Sequence, residues 1–313
     1  LHGAILVNKH QGTSSFGVLD TLKKILRKQG QEFPKLGHGG TLDPFATGLL
    51  IVCVGRGVKL SRYFLGSMKT YEAVLRFGET TIPGDPTDPI SERSEILPSS
   101  LDQLNRLAQE FSLQKYLQIP PMHSAKKLNG KPLYELARQG IEVERAPKLC
   151  KLHDFRFQSF LSPRGTFSVR CSSGTYIRTL AQDFARRLDT VGMLDSLHRT
   201  ASGSFGIENA VSVAELAKAA EEKRPWDELP AFIPFDRLLD GFPRADASSM
   251  EAEMLIQGKQ QVLPAILEKV SPPENHSNHA TIYFENRLLA VAVRENQIWG
   301  LERVFPGAYV SGL

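Results

Sequence analysis

Apolar positions repeat along this chain at two spacings, and the two periods divide it into strands and helices. Ala4–Val7 is a short apolar run of strand character. Val18, Leu22, Ile25 and Leu26 share one helical face, and Gly30 is the expected stop. The unbroken run Leu49–Val54 predicts a buried strand, and Tyr71, Ala73, Leu75 and Phe77 alternate as a half-buried one. Leu101, Leu104, Ala108 and Phe111 predict a helix capped by Ser100. A short helix over Leu133–Gln139 ends at Gly140. Phe155 and Phe157, then Phe167, Val169 and Cys171, alternate on either side of Ser162-Pro163-Arg164-Gly165 and predict an antiparallel pair. A helix follows from Ile177 to about Leu188, whereas the Pro-, Thr-, Ser- and Asp-rich segment 80–98 reads as loop.

Pro225, Pro230, Pro234 and Pro243 interrupt regular structure and suggest a domain boundary, giving residues 1–240 and 241–313. The smaller part is expected to be mainly β, with a hairpin of Ala280–Phe284 and Leu288–Val293. The larger part is expected to be α+β, a mixed and mostly antiparallel sheet flanked by helices. Composition is that of a globular protein, with 41% hydrophobic and 23% charged residues. The net charge of +4 is unevenly placed. Residues 241–313 hold 6 Lys/Arg against 8 Asp/Glu, leaving 32 against 26 in residues 1–240. That basic excess suits a phosphate-bearing partner, and Lys126, Lys127 and Lys131 add a local basic segment. Three scattered cysteines, Cys53, Cys150 and Cys171, point to a reducing compartment. With no apolar run long enough to span a membrane and no signal-like start, a cytoplasmic location is expected.

Three segments could carry chemistry. Gly37, Gly39 and Gly40 permit a tight exposed loop before Asp43, and Pro44 steers Asp43 away from helical geometry. A carboxylate held there could attack or polarise a substrate. By spacing alone, a connecting loop with Asp43 in a turn or cap is the commoner outcome. The loop lacks the Gly-Lys-Ser/Thr ending of a phosphate-binding P-loop. Arg178, in the first turn of a helix where the macrodipole disfavours a cation, suggests an anionic partner held bidentately; a plain surface arginine is the alternative. Lys69-Thr70-Tyr71 suits base stacking beside phosphates, although a half-buried strand tyrosine is commoner. His276 and His279 lie in a Pro/Ser/Asn-rich stretch and read as solvated, so no metal site is expected.

These segments together resemble the TruB-type tRNA pseudouridine synthases. Gly37-His38-Gly39-Gly40-Thr41-Leu42-Asp43-Pro44-Phe45-Ala46-Thr47-Gly48 is similar to the family's catalytic motif, and Lys69-Thr70-Tyr71 to its second. Pro120 to Lys127, then Gly130 to Tyr134, match a further stretch, and Cys171 to Arg178 match the arginine motif. The region after residue 240 is similar in size and placement to the PUA domain of that family, on Met254-Leu255-Ile256-Gln257-Gly258 and the strands beyond. Two departures stand out. His123 occupies a place where many relatives have Tyr and is given no role, and Thr80–Asp85 lacks the usual Thr/Asp-rich wording.

The resemblance implies a pseudouridine synthase fold with a PUA-like C-terminal domain. It implies isomerisation of the uridine at position 55 in the T-arm of tRNA, with the target base flipped out of its stack. Asp43 would be the essential carboxylate, Arg178 its ion-pair partner, and Tyr71 the stacking residue and a candidate base for a ribose proton. His38 would occupy the disrupted T-loop, with Lys69, Tyr176 and Leu197 as pocket members. Neither a redox step nor an external group transfer occurs, so no cofactor is expected, and the chain would act as a monomer without a protein partner. Two rivals remain: a catalytically silent RNA-binding or RNA-folding protein, and a two-carboxylate hydrolase using Asp43 with Asp85.

Overall fold

The computed structural model describes residues 1–28, 35–124, 127, 128, 130–268, 270 and 278–308. Gly30, Lys126 and His276, singled out above, lie outside the described residues. The chain forms two compact units. The larger is Ile5–Phe232; the smaller is Ile233–Leu313 together with Leu1–Ala4.

The larger unit is built on a mixed sheet. Its main strands are β1 (Gly3–Lys9), β2 (Leu36–His38), β3 (Thr47–Val54), β4 (Lys69–Phe77), β5 (Leu152–Leu161), β6 (Arg164–Cys171), β7 (Gly192–Ser202) and β8 (Val211–Ser212). The main path runs β5-β6-β4-β7-β3-β1-β8, with β2 pairing β3 from outside that path. The β5–β6, β6–β4 and β4–β7 pairs are antiparallel, whereas β7–β3 and β1–β8 are parallel. The continuous apolar run of β3 follows from its place inside the sheet, where Leu49 to Val54 are all buried. On β4 every second residue from Lys69 to Phe77 is buried, as its alternation predicts.

Three helices matter for the site: α1 (Ser15–Lys28), α2 (Leu101–Leu113) and α3 (Ile177–Arg186). Ser100 caps α2 by accepting the Gln103 N–H. Phe111 of α2 and Phe184 of α3 meet Phe155, Phe157 and Phe167 of the sheet, with Phe157 and Phe184 ring centroids 5.1 Å apart. That aromatic cluster fixes α3, and with it Arg178, against the strands.

Segment 80–98 is not loop throughout. Glu79–Thr81 pairs with Ile90–Arg93 as a short hairpin. Its polar composition conceals β-branched Thr80 and Thr81, both buried. The Thr81 hydroxyl accepts from the Gly84 and Asp85 amides and donates to the Asp85 carbonyl, closing the turn with its side chain.

In the smaller unit, Arg244–Asp246, His279–Phe284, Arg287–Glu295 and Ile298–Val304 form a four-stranded sheet in that order. Glu285 and Asn286 both take positive φ at the hairpin turn. Helices Ser249–Ile256 and Leu263–Leu267 pack into the same core, and the unit is mainly β as its pattern predicts. The capping box of Ser248 with Glu251 marks the first of them. His279 is not solvated; it lies half-buried, 3.3 Å from Glu302. Among the described residues, no helix is long and apolar enough to cross a membrane.

Candidate active site

The Gly-rich segment divides in two. Leu36–His38 is the edge strand β2, paired with Val52–Val54, and the chain then turns inward through Gly39 and Gly40, both buried. The expectation of an exposed glycine loop is therefore corrected. Glycine is required here by close packing: a Cβ at Gly39 would lie 2.6 Å from Phe64 Cβ, and Gly40 sits at φ +145°. From Gly40 to Pro44 every carbonyl is held. Arg199 donates to Gly40 O (3.0 Å) and Thr41 O (3.3 Å). Ser15 Oγ donates to Leu42 O and accepts the Leu42 N–H. Asp43 O accepts the Ala46 N–H, and Pro44 O accepts from Gly12 N and Lys9 Nζ. The Asp43 side chain, 35% exposed, is thus presented on a fixed backbone to a cleft of about 280 Å³.

Arg178, in the first turn of α3, is 4% exposed. Its Nε donates to Asp43 Oδ2 at 2.9 Å. The expected bidentate fork around one carboxylate is not what forms. Nη1 donates to Pro83 O and Nη2 to His123 O, each at 2.8 Å, and Nη1 lies 3.5 Å from Asp85 Oδ2. One guanidinium therefore joins the Asp43 loop, the 80s turn and the His123 segment. Asp85 is itself buried and accepts from the Thr87 amide and hydroxyl. Beneath Arg178, the Gln118 side chain accepts from Tyr176 N (2.7 Å) and donates to Tyr176 O (2.9 Å), fixing the entry to α3 where no side chain of the helix caps it.

The cleft wall brings together Asp43, Lys69, Tyr71, Tyr176, Arg178 and Leu197. His38 is not in that wall; it lies half-buried in β2, its Nδ1 accepting from Gly40 N at 3.4 Å. Burial, followed by the nearby Arg199 charge, lowers its pKa and favours the neutral ring. Tyr71 is buried, and desolvation raises its phenol pKa against the opposing charge of Arg199, its register partner across the β4–β7 pair. Lys69 does not reach outward to phosphates. Its Nζ donates to Phe64 O (2.6 Å), Leu65 O (3.0 Å) and Ser67 O (2.7 Å), and burial pulls its pKa down to about 7.

Sequence reasoning passed over Arg199, Lys9, Ser15 and Gln118. Arg199 and Lys9 are essentially fully buried and bind main-chain carbonyls. The available signal was a cation at an inward position of a strand, plainest for Lys9 at the end of the apolar run of β1. Ser15 and Gln118 act across distances of 27 and 58 residues, which no local pattern encodes. Among the described residues, no group of three His, Cys, Asp or Glu side chains is placed to hold a metal ion.

Comparison with known proteins identifies the family. Residues 23–177 match the model of the TruB family pseudouridylate synthase N-terminal domain. A tRNA pseudouridine synthase B from Dechloromonas aromatica is 37% identical over 289 residues, covering 92% of this chain and 90% of that relative. Another from Bordetella parapertussis is 41% identical over 238 residues, 74% of this chain and 94% of the relative. A crystal structure of a Cbf5–Nop10–Gar1 complex superposes with a TM-score of 0.71 at 20% identity, over 97% of this chain and 84% of that one, a likeness of fold. The family match and these relatives place the molecule among the pseudouridine synthases, isomerases that convert uridine to pseudouridine. Within that class, the chain belongs to the TruB family.

Proposed function

We propose that this chain isomerises uridine 55 in the T-arm of tRNA to pseudouridine, with Asp43 as the essential carboxylate. The observation that carries this is the Asp43–Arg178 ion pair, set on a fully bonded backbone and opening into a cleft walled by Tyr71 and Leu197. The tRNA substrate is carried over from the relatives, which are tRNA pseudouridine synthases B. The reaction breaks C1′–N1, turns the uracil and joins C5 to C1′; the C5 proton leaves and N1 gains one. Asp43 would add to ribose or base, or assist loss of a ribose proton. The raised phenol pKa of Tyr71 favours stacking on the flipped base over acting as a base. Tyr176 and Leu197 would confine the ring, Lys69 would brace the wall, and His38, as a neutral imidazole, would meet the opened T-loop.

Catalysis would reside in residues 1–240, with 241–313 as a PUA-like domain. The chain would act as a cytoplasmic monomer without protein partner or cofactor. Three free, buried cysteines suit a reducing compartment. The two-carboxylate hydrolase is disfavoured because Asp43 and Asp85 meet the same guanidinium, with Asp85 buried behind it rather than across a substrate. A silent RNA-binding protein would have no use for an ion-paired carboxylate in the cleft. The test is incubation with unmodified tRNA and mapping of pseudouridine by nucleotide. Product at position 55 is expected; no product, or free uracil, would overturn the proposal.

A further inference from the structure

Ser124 lines the same cleft. It is 6% exposed, and its Oγ has no hydrogen-bond partner among the described residues. Its position is fixed by main-chain bonds: Ser124 N donates to Met122 O (2.8 Å), and Ser124 O accepts from Tyr134 N (3.1 Å). The carbonyl of the preceding residue, His123, accepts from Arg178 Nη2. Ser124 is therefore anchored to the same guanidinium that holds Asp43. A buried hydroxyl without a partner is destabilising, and such a group is expected where a ligand completes it.

The cationic donors around the cleft, and the Thr175 hydroxyl, are already engaged. Lys69 and Arg199 are each surrounded by main-chain carbonyls. Arg178 is divided among Asp43, Pro83 and His123, and Thr175 Oγ1 donates to Ser172 O. A hydroxyl this deep suits a neutral, partly desolvated acceptor better than a hydrated phosphate. Uracil presents two carbonyl oxygens. Resting on the proposed pseudouridine synthase activity, we propose that the Ser124 hydroxyl donates a hydrogen bond to a carbonyl oxygen of the extruded uracil. Turning the base about its N3–C6 axis exchanges C2=O with C4=O, so one fixed hydroxyl can meet a carbonyl both before and after the new bond forms.

The test uses the full chain in single-turnover reactions on tRNA transcripts carrying uridine, 2-thiouridine or 4-thiouridine at the target position. Ser124→Ala should fold normally and lower kcat/KM roughly tenfold, the effect of one lost hydrogen bond. Ser124→Thr, which keeps the hydroxyl, should stay within about threefold on the same scale. Ser124→Cys, with only a weak donor, should follow Ser124→Ala. One of the two thio-substrates should slow the wild-type chain but cost Ser124→Ala little, because sulfur is a poor acceptor and the partner is already gone. A Ser124→Ala rate equal to wild type would overturn the contact. So would thio-penalties that are identical in both proteins. If the wild-type chain makes no pseudouridine at all, the proposed function fails instead.

Discussion

Replacing Arg178 with Lys preserves a positive charge but removes the geometry that the site uses. In the native site the guanidinium makes three short bonds in three directions, to Asp43, Pro83 O and His123 O. An ammonium there would satisfy one of these and strand the others. Losing the two bonds to carbonyls, at about 1.5 kcal/mol each for a charged donor, gives roughly 3 kcal/mol. The Asp43 pair adds less, because that carboxylate is 35% exposed and water screens it. For a unit the size of Ile5–Phe232, that loss lowers the melting temperature by roughly 6–12 °C. Turnover should fall further than stability, since an Asp43 displaced by about an ångström loses on the order of 100-fold in rate. Calorimetry and single-turnover pseudouridine formation on the same preparation read both effects. An Arg178→Lys chain that melts within about 2 °C of wild type and turns over normally would refute the three-way bracing.

Asp43→Asn should abolish detectable turnover while leaving tRNA affinity nearly unchanged, measured by single-turnover assay and filter binding; near-normal turnover would remove Asp43 from the chemistry. Burial pulls Lys69 down to about 7 and Lys9 down to about 8, so the folded chain holds these protons more weakly than the unfolded one. Their cost is full below about pH 7 and is relieved as pH rises; unfolding free energy should climb from pH 7 to about 9, and Lys69→Met should flatten the climb. Above about 9 the buried thiols Cys53 and Cys171, pushed up to about 12, act in the opposite direction, so a fall below pH 9 would show that the carbonyl cages outweigh burial. RNA affinity should drop by an order of magnitude or more between about 50 and 200 mM salt. A chain ending at Pro243 should still bind, and complete loss of binding by that folded truncation would move recognition to the C-terminal unit.

Periodicity revealed most of the framework because strands β3, β4 and β6 and helices α1 and α2 each bury one face or both, and burial imposes the pattern. It failed at 79–93, where the turn is closed by the Thr81 side chain and the composition imitates loop. Asp43, Tyr71 and Arg178 were legible through motif resemblance, and their convergence is now visible in one cleft. Beyond Asp43, the partners of Arg178 were not legible, because they are main-chain carbonyls, which no side-chain identity announces. Ser15 and Gln118 were hidden for the related reason that their bonds are long-range.

The charge distribution adds a physical constraint on how RNA approaches Asp43. Residues 23–68 carry eight Lys/Arg against two Asp/Glu, and one of the two acids is Asp43 itself. The resulting excess of six equals the whole excess of residues 1–240, so the remainder of that region is neutral on balance. The basic excess therefore comes from the C-terminal half of α1, from Lys35 and from the Gly55–Gly66 helical segment, which flank the Asp43 loop in the chain. Inside the site the charge takes another form. Lys9, Lys69 and Arg199 are buried and surrounded by carbonyls, so their field acts on the cleft while their donors hold the backbone. An RNA strand would be drawn in by the exposed lysines and arginines, but only a base lifted from its stack could enter a cleft of about 280 Å³. Attraction and chemistry thus belong to separate sets of cations. Neutralising exposed Lys24 and Lys28 should raise KM and reduce the salt slope with kcat unchanged, whereas any loss at Arg199 should fall on kcat.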